Sequence, residues 1–585
     1  MKELKHLNKY FVKYRGMLLL GLVITICARL FALFTPILIG NSVTLVENAI
    51  NSEFFDKDEV RNDLLINIGL IIGATMLAAL FTFLMRQTFI VVSRRVEFDL
   101  KNEVYRQYQN LSLAFYKQNR TGDLMNRISE DVSKVRMYAG PALMYSVQTI
   151  TLFIVVISYM YSQAPTLTLY AIMPFPVLSI AIYKLSVAIN QKSTVVQQYL
   201  SKLTTFSQET FSGISVIKAY ALEPKTGTSF VTLAEESKEK NIDLVKVQAL
   251  FFPLMILLIG ASNLLVIFIG GKQYISGEIA ELGTIVEFII FVNMLTWPVA
   301  VVGWVTSMVQ QAEASQKRIN EFLKEEPQVK NSVTELTPIK GKIEFRNVTF
   351  TYPDTNITAL KNLSFTINSG ETLAILGRTG SGKSTILELI GRLYDVSSGE
   401  ILVDDKPLET LHLKSLREAI GYVPQDAFLF SDSIKNNIKF GKEEATDEEV
   451  INAAKMAYVH KNIMGFTNKY ETILGERGIT LSGGQKQRVS IARALIKDPN
   501  IYLFDDCLSA VDTDTEEKII SNLNKISREK TTIIVSHRIF SAMNANKILV
   551  LKDGEILQQG THSQLIETEG YYKELYAKQL LEKEN

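Results

Sequence analysis

The chain has 585 residues, too many for one hydrophobic core, so at least two domains are expected. Its 62 Lys and Arg against 61 Asp and Glu leave a net charge of +1, which makes no electrostatic case for nucleic acid, whose binders carry a basic face or stripe. Two cysteines, Cys27 in an apolar run and Cys507 beside a pair of aspartates, sit in contexts too different for a disulfide framework or a metal cluster.

The first half carries long apolar runs with few charges. Six of them reach the roughly 20 residues that a helix needs to cross about 30 Å of hydrocarbon: Met17–Gly40, Leu64–Leu84, Pro141–Tyr161, Leu167–Leu185, Leu250–Ile269 and Ile285–Met308. The first is full length and continues into further spans, unlike a cleaved signal peptide. Lys2, Lys5, Lys9, Lys13 and Arg15 precede it, while the loop after it is mainly acidic, which places the N-terminus inside. The segments between spans two and three and between spans four and five are also basic and therefore cytoplasmic. Both keep helical apolar spacing past the membrane boundary, so the spans are expected to run on as helices and turn in the cytosol. Phe115, Tyr116, Phe211, Ile217 and Tyr220 near those turns would be exposed apolar surface unless the turns dock on another domain.

Within the spans, Arg29 and Glu287 are costly in hydrocarbon, by at least about 2.5–3.5 kcal/mol, and should face the interior or each other. Substrate contact, an internal Arg–Glu pair or snorkelling to the headgroups would satisfy them. Asn263 and Asn293 read as interhelical hydrogen-bond partners, and Trp297–Pro298 as a kink. A polar, Pro-interrupted stretch from Phe322 to Gly341 reads as a linker.

The soluble half opens its chemistry with "TLAILGRTGSGKST". An apolar strand leads into a glycine-rich turn and then a helical pattern, the context a phosphate-binding loop needs. Gly377, Gly380 and Gly382 let the backbone curl so that the N–H groups along Gly377, Arg378, Thr379, Gly380, Ser381, Gly382 and Thr385 face phosphates; Lys383 reaches the β and γ phosphates and Ser384 offers a hydroxyl to Mg²⁺. Further on, "IYLFDDC" is a buried strand ending in Asp505, placed to hold the Mg²⁺ shell. Between them, "LSGGQKQR" opens a helix, and alone its Ser-Gly-Gly could be an ordinary N-cap.

Together these strings resemble ATP-binding cassette proteins. The resemblance implies that Ser482, Gly483, Gly484 and Gln485 bind the γ-phosphate held by an opposite subunit. It also implies that Tyr352 in "FTYP" stacks on adenine, that Gln425 in "YVPQD" is the Q-loop glutamine and a further Mg²⁺ ligand, that "GERG" (Gly475–Gly478) is the exporter X-loop, that "SAVD" is the D-loop and that His537 is the switch histidine. The first half resembles the six-helix domain of multidrug and lipid-flippase exporters through "FYKQNRTGDLMNRISEDV" and "ETFSGISVIKAYALE". The implied fold is a membrane all-α six-helix domain (1–322), a linker (323–340) and a C-terminal α/β P-loop ATPase cassette (341–585). The implied ligands are ATP and Mg²⁺. Implied partners are a second half-transporter, identical or related, the lipid bilayer of the cytoplasmic membrane, and a hydrophobic small-molecule or lipid substrate.

One residue departs from the family. After Asp505, where a Glu would polarise the attacking water, stands Asp506, whose carboxylate is withdrawn by one methylene, about 1.5 Å. A misplacement near 1 Å costs on the order of 100-fold in rate, so the site is expected to bind ATP normally and hydrolyse it slowly. That resembles the Asp-bearing chain of heterodimeric bacterial multidrug exporters, and a regulatory subunit that binds ATP for a hydrolysing partner is the alternative. An importer is disfavoured, because importer cassettes are usually separate chains.

Overall fold

The protein is described from a computed structural model covering residues 2–52, 56–331, 333–475, 478, 480–507, 513–526 and 529–584. It divides into two compact units, Met1–Tyr108 with Gly122–Lys324, and Gln109–Thr121 with Glu325–Asn585.

The first unit is helical. Among the described residues, six helices are long and apolar enough to cross a membrane: α1 (Arg15–Asn51), α2 (Lys57–Asn110), α3 (Thr121–Gln163), α4 (Pro165–Ser212), α5 (Glu223–Ile275) and α6 (Leu282–Leu323). At 1.5 Å per residue, 37 to 54 residues give about 55–80 Å, twice the hydrocarbon thickness, which is why each apolar run continues as a polar-faced extension. None of the most apolar stretch of α2 is buried, whereas 59% of that of α6 is, so α6 is the central helix. Its Phe288, Phe291, Val292 and Leu295 pack with Leu152, Val156 and Met160 of α3 and Leu167 and Ala171 of α4. Gly283 of α6 lies against the backbone of Gly40 in α1 so closely that any side chain would collide. On the polar extension of α6, Arg318 forms a bidentate ion pair with buried Asp131 of α3.

The two intramembrane charges do not meet each other. Glu287 is buried and accepts a hydrogen bond from the Tyr159 hydroxyl at 3.3 Å, while Arg29 keeps a buried Nε with no partner. The Arg–Glu pair offered as one option is therefore not formed, because α3 supplies Glu287 with a hydroxyl first. Asn263 donates to Asn293 at 3.5 Å across α5 and α6, as expected of a helix–helix contact. α6 runs unbroken through Pro298. Between α4 and α5 a short helix, Ile214–Ala219, forms the loop tip, with Phe211 and Tyr220 72% and 74% exposed and Ile217 half-buried.

The second unit is built on two sheets. β1 (Ile343–Thr351), β2 (Thr358–Ile367), β4 (Ser398–Val403) and β5 (Lys406–Pro407) form an antiparallel sheet in the order β2-β1-β4-β5. β3 (Thr372–Gly377), β6 (Ile420–Val423), β7 (Ile501–Asp505), β8 (Thr531–Val535), β9 (Lys547–Lys552) and β10 (Glu555–Gly560) form the order β10-β9-β3-β8-β7-β6, parallel except for the edge strand β10. β3, β7 and β8 are buried at every position, as their unbroken apolar runs require of strands covered on both faces. Helix α7 (Lys383–Ile390) packs between the sheets, and α8 (Asp447–Met456) and α9 (Gly483–Ile496) build a helical lobe on β6 and β7.

Two segments outside that alternation join this unit. The polar stretch after α6 is tied down, with Asn331 accepting from the Leu413 N–H at 3.1 Å and Ile339 buried in the core. The segment Gln109–Thr121 adds a short helix, Leu113–Gln118, whose Ala114 is 2% exposed within the same core. Phe115 there is half-buried and Tyr116 partly exposed.

Candidate nucleotide site

Parallel strands bring their carboxyl ends to one edge, and the cavity lies there. It measures about 500 Å³ and is lined by Tyr352, Thr379, Gly380, Gly382, Lys383, Ser384, Thr385, Gln425, Asp505, Asp506 and His537, with Thr358–Lys361 excepting Leu360, Val535, and Asp553–Gly554 also contributing. Chemistry scattered over nearly 200 residues of sequence is thus collected at the ends of β3, β7 and β8.

The loop from Gly377 to Gly382 owes its shape to its glycines. Gly377 (φ +155°) and Gly382 (φ +93°) have backbone that L side chains rarely adopt, and a Cβ on either would strike the carbonyls of Leu551 and Ala359 respectively. Gly382 then caps α7, whose first N–H groups have no helical partner and can meet an anion. Lys383 is 6% exposed, and its ammonium donates to the carbonyls of Gly377 and Arg378, each at 2.9 Å. Burial depresses its pKa, with Asp506 and Asp505 opposing. Ser381 is buried with a hydroxyl that has no partner. Two buried donors arranged around a curled loop and not committed to carboxylates suit a polyphosphate. Arg378 turns away, its guanidinium 5.8 Å from the Tyr571 ring.

The Ser384 hydroxyl donates to Asp505 Oδ1 at 2.8 Å. A hydroxyl and a carboxylate from two elements are the few hard oxygen ligands that Mg²⁺ accepts when phosphates complete its shell. No cluster of three or more His, Cys, Asp or Glu suited to a metal occurs among the described residues. Burial, with the neighbouring Asp506 charge, raises the Asp505 pKa against the pull of Ser384. Gln425 opens on the cavity, and its carbonyl accepts from Gln487 of α9 at 3.0 Å.

Asp506 is 8% exposed, with φ +42° and its N–H bonded to the Val535 carbonyl at 3.0 Å. Its Oδ2 lies 3.9 Å from His537 Nε2, about 1 Å beyond a hydrogen bond. Burial raises the Asp506 pKa, with His537 and Lys383 opposing, and burial followed by Lys383 lowers that of His537 against the pull of Asp506. Gln579 holds the His537 carbonyl at 2.9 Å.

Tyr352 is half-buried at the rim. Its hydroxyl hydrogen-bonds Thr385 and Glu388 of α7, both at 2.9 Å. Asp553 and Gly554 were missed by sequence reasoning. The Asp-Gly turn signal joining β9 and β10 was readable, but not that the Gly554 carbonyl accepts from Lys361 at 2.9 Å and brings the turn to the rim.

Ser482, Gly483, Gly484 and Gln485 do not line the cavity. They start α9 on the surface, with a capping box in which Ser482 Oγ accepts from the Gln485 N–H at 3.4 Å and Gln485 Oε1 from the Ser482 N–H at 3.0 Å. Glu476 and Arg477 of the X-loop motif and the D-loop Ser509–Asp512 lie outside the described residues.

Comparison with known proteins agrees with both halves. Residues 18–299 match the family model described as the ABC transporter transmembrane region, and residues 360–509 that described as ABC transporter. The chain is 36% identical over 516 residues to the multidrug resistance-like ATP-binding protein MdlA of Escherichia coli, covering 87% of each. It is 34% identical to the probable multidrug resistance ABC transporter ATP-binding/permease protein YheI of Bacillus subtilis, over 99% of this chain and 98% of the relative. It is 35% identical to the ATP-dependent lipid A-core flippase of Syntrophus aciditrophicus, over 84% and 82%. Among solved structures, a bacterial Atm1-family ABC exporter with ATP bound superposes with a TM-score of 0.77 at 26% identity, over 98% of both chains.

Proposed function

The chain belongs to the ATP-binding cassette transporters, as an exporter whose transmembrane region and ATPase are fused, and from that premise we propose that it moves drugs or lipids out of or across the cytoplasmic membrane as one half of a dimer. Six apolar helices and an ATPase that hydrolyses ATP to drive transport are the family's parts, and this chain has both. Relatives named for multidrug resistance and for lipid A-core flipping support a hydrophobic or amphipathic substrate. Its membrane orientation has the N-terminus and the cassette in the cytosol.

The observation that carries the dimer is the separation between the cavity and the start of α9. The phosphate-binding loop, Tyr352, Gln425, Asp505, Asp506 and His537 line one cavity, while Ser482–Gln485 lie outside it, at the start of a 14-residue helix whose Gly483 and Gly484 N–H groups have no helical partner. A second chain's α9 completes the site, and ATP joins the two. Lys383 then exchanges its loop carbonyls for phosphate oxygens, Tyr352 stacks on the base, and His537 with Asp506 orients the attacking water. Ser384, Asp505 and Gln425 would hold Mg²⁺, which would neutralise phosphate charge when bound. With Asp506 where the family has Glu, its carboxylate withdrawn by one methylene, this chain's own cavity is read as a slow site. A pairing with a Glu-bearing sister chain, in which α9 here serves the sister's fast site, follows from the intact signature.

Cysteine cross-linking tests the arrangement. In a background with Cys27→Ser and Cys507→Ser, Thr379→Cys and Ser482→Cys should form an intermolecular disulfide that Mg·ATP promotes. No nucleotide-dependent cross-link, either between copies of this chain or with a coexpressed sister, refutes the shared site.

A further inference from the structure

The helix Leu113–Gln118 does more than anchor through Ala114. It carries Lys117, whose ammonium lies 3.5 Å from Glu388 Oε1, 4.9 Å from the centre of the Tyr352 ring and 5.1 Å from that of Tyr394. The other oxygen of Glu388 accepts from the Tyr352 hydroxyl at 2.9 Å, and that hydroxyl also meets Thr385, two residues after Lys383 on α7. Lys117 and Glu388 side chains are 37% and 17% exposed, so solvent screens the pair only in part. Burial works against the Lys117 charge, but Tyr394 and Glu388 outweigh it and hold its pKa above the ordinary value.

The cation therefore touches Tyr352 in two ways: over the face of its ring, and through the carboxylate that, with Thr385, holds its hydroxyl. Of the two tyrosine rings that Lys117 lies over, Tyr352 lines the cavity, so the contact that fastens the segment also reaches the nucleotide site. We propose that Lys117 is a positioning residue for the nucleotide base, acting through Glu388 and the Tyr352 ring, so that base affinity depends on where the segment Gln109–Thr121 sits. By linkage the converse holds: base binding favours the docked position of the segment, and the triphosphate alone does not. The inference rests on the reading of Tyr352 as the base-stacking residue.

The test is a binding titration of the full-length protein in lipid nanodiscs, with Mg·ATP and with magnesium tripolyphosphate, which has no base. Tyr352→Ala checks the underlying reading and should weaken ATP but not tripolyphosphate; if it weakens neither, the base-stacking assignment fails. Lys117→Met should weaken ATP about fivefold and leave tripolyphosphate unchanged, and Lys117→Arg should restore ATP affinity. Tripolyphosphate binding itself reports that the cassette has folded, and Lys117→Gln serves if the Met variant does not fold. With Tyr352→Ala behaving as stated, an unchanged ATP affinity in Lys117→Met, or an equal loss for both ligands, overturns the proposal.

Discussion

Replacing Asp506 by Glu tests the slow-site reading most directly. The Asp506 carboxylate stops 3.9 Å from His537 Nε2, against about 2.9 Å for a hydrogen bond. Its backbone cannot advance to close the gap, because the N–H is held by the Val535 carbonyl at the end of a fully buried strand. One methylene adds about 1.5 Å of reach, more than the shortfall. If withdrawal of the carboxylate from the attacking water by about 1 Å costs on the order of 100-fold, the barrier carries about 2.7 kcal/mol that Glu should recover. Asp506 sits at φ +42°, a region Asp tolerates better than Glu, so part of the gain is offset by strain of about 1 kcal/mol, visible as a lower melting temperature. Phosphate release by the purified chain in lipid at saturating Mg·ATP should rise about 10- to 100-fold, with the KM for ATP changed by less than about threefold. A rate within about twofold of the native one, with ATP binding intact, refutes the argument that reach limits the site.

Asp506→Asn should abolish phosphate release if the homodimer is catalytic, and should change the rate of a reconstituted pair little if a Glu-bearing sister hydrolyses. Lys383→Ala removes the buried ammonium and should lower ATP affinity by about 10- to 100-fold in a titration. Gly483→Asp, at a position where a Cβ meets nothing within 4 Å, should fold and bind ATP at its own cavity, yet lose at least about 100-fold in turnover by placing a negative charge against phosphate; unimpaired turnover would refute the role of α9. The pH profile should show an acid limb: burial raises the Asp506 pKa, so the carboxylate is present at high pH and protonates, as pH falls, earlier than an ordinary aspartate. A kcat/KM profile measured down to the pH at which the protein still binds ATP checks this, and the limb should move in Asp506→Glu.

The nucleotide motifs were legible because their chemistry is local. Strand, glycine turn, lysine and hydroxyl lie within fourteen consecutive residues, and the two glycines that need unusual backbone occupy the positions where the string requires them. The six spans were legible for a similar reason, since hydrocarbon demands an uninterrupted apolar run. Contacts between distant segments were not. Nothing in "SLAFYKQNRTGDL" says which domain Ala114 will enter or that Lys117 will face Tyr352, more than 230 residues away. Glu287 was expected to face the interior or Arg29; it is buried against the Tyr159 hydroxyl, and which group it meets depends on helix rotation, which composition does not fix. The distance from Asp506 to His537 likewise follows from how β7 and β8 align, and sequence could supply only the missing methylene.

Two outward-facing features of the chain differ in chemistry, and the difference suggests how a dimer would use them. Phe211 and Tyr220, at the tip between α4 and α5, expose 72% and 74% of their surface. Covering two aromatics of about 200 Å² each would contribute at most about 7 kcal/mol, independent of any ligand. The start of α9 offers only polar groups, and its Ser482 hydroxyl is held by a long 3.4 Å bond to its own helix, readily given up to an anion. Without phosphate, pairing that surface with another chain replaces water and gains little; with phosphate, several N–H groups find a charged acceptor. A dimer contact at the apolar tips would therefore be indifferent to the nucleotide, whereas one at α9 would form and break with it. Only a contact of the second kind can turn ATP binding and hydrolysis into motion of the helices.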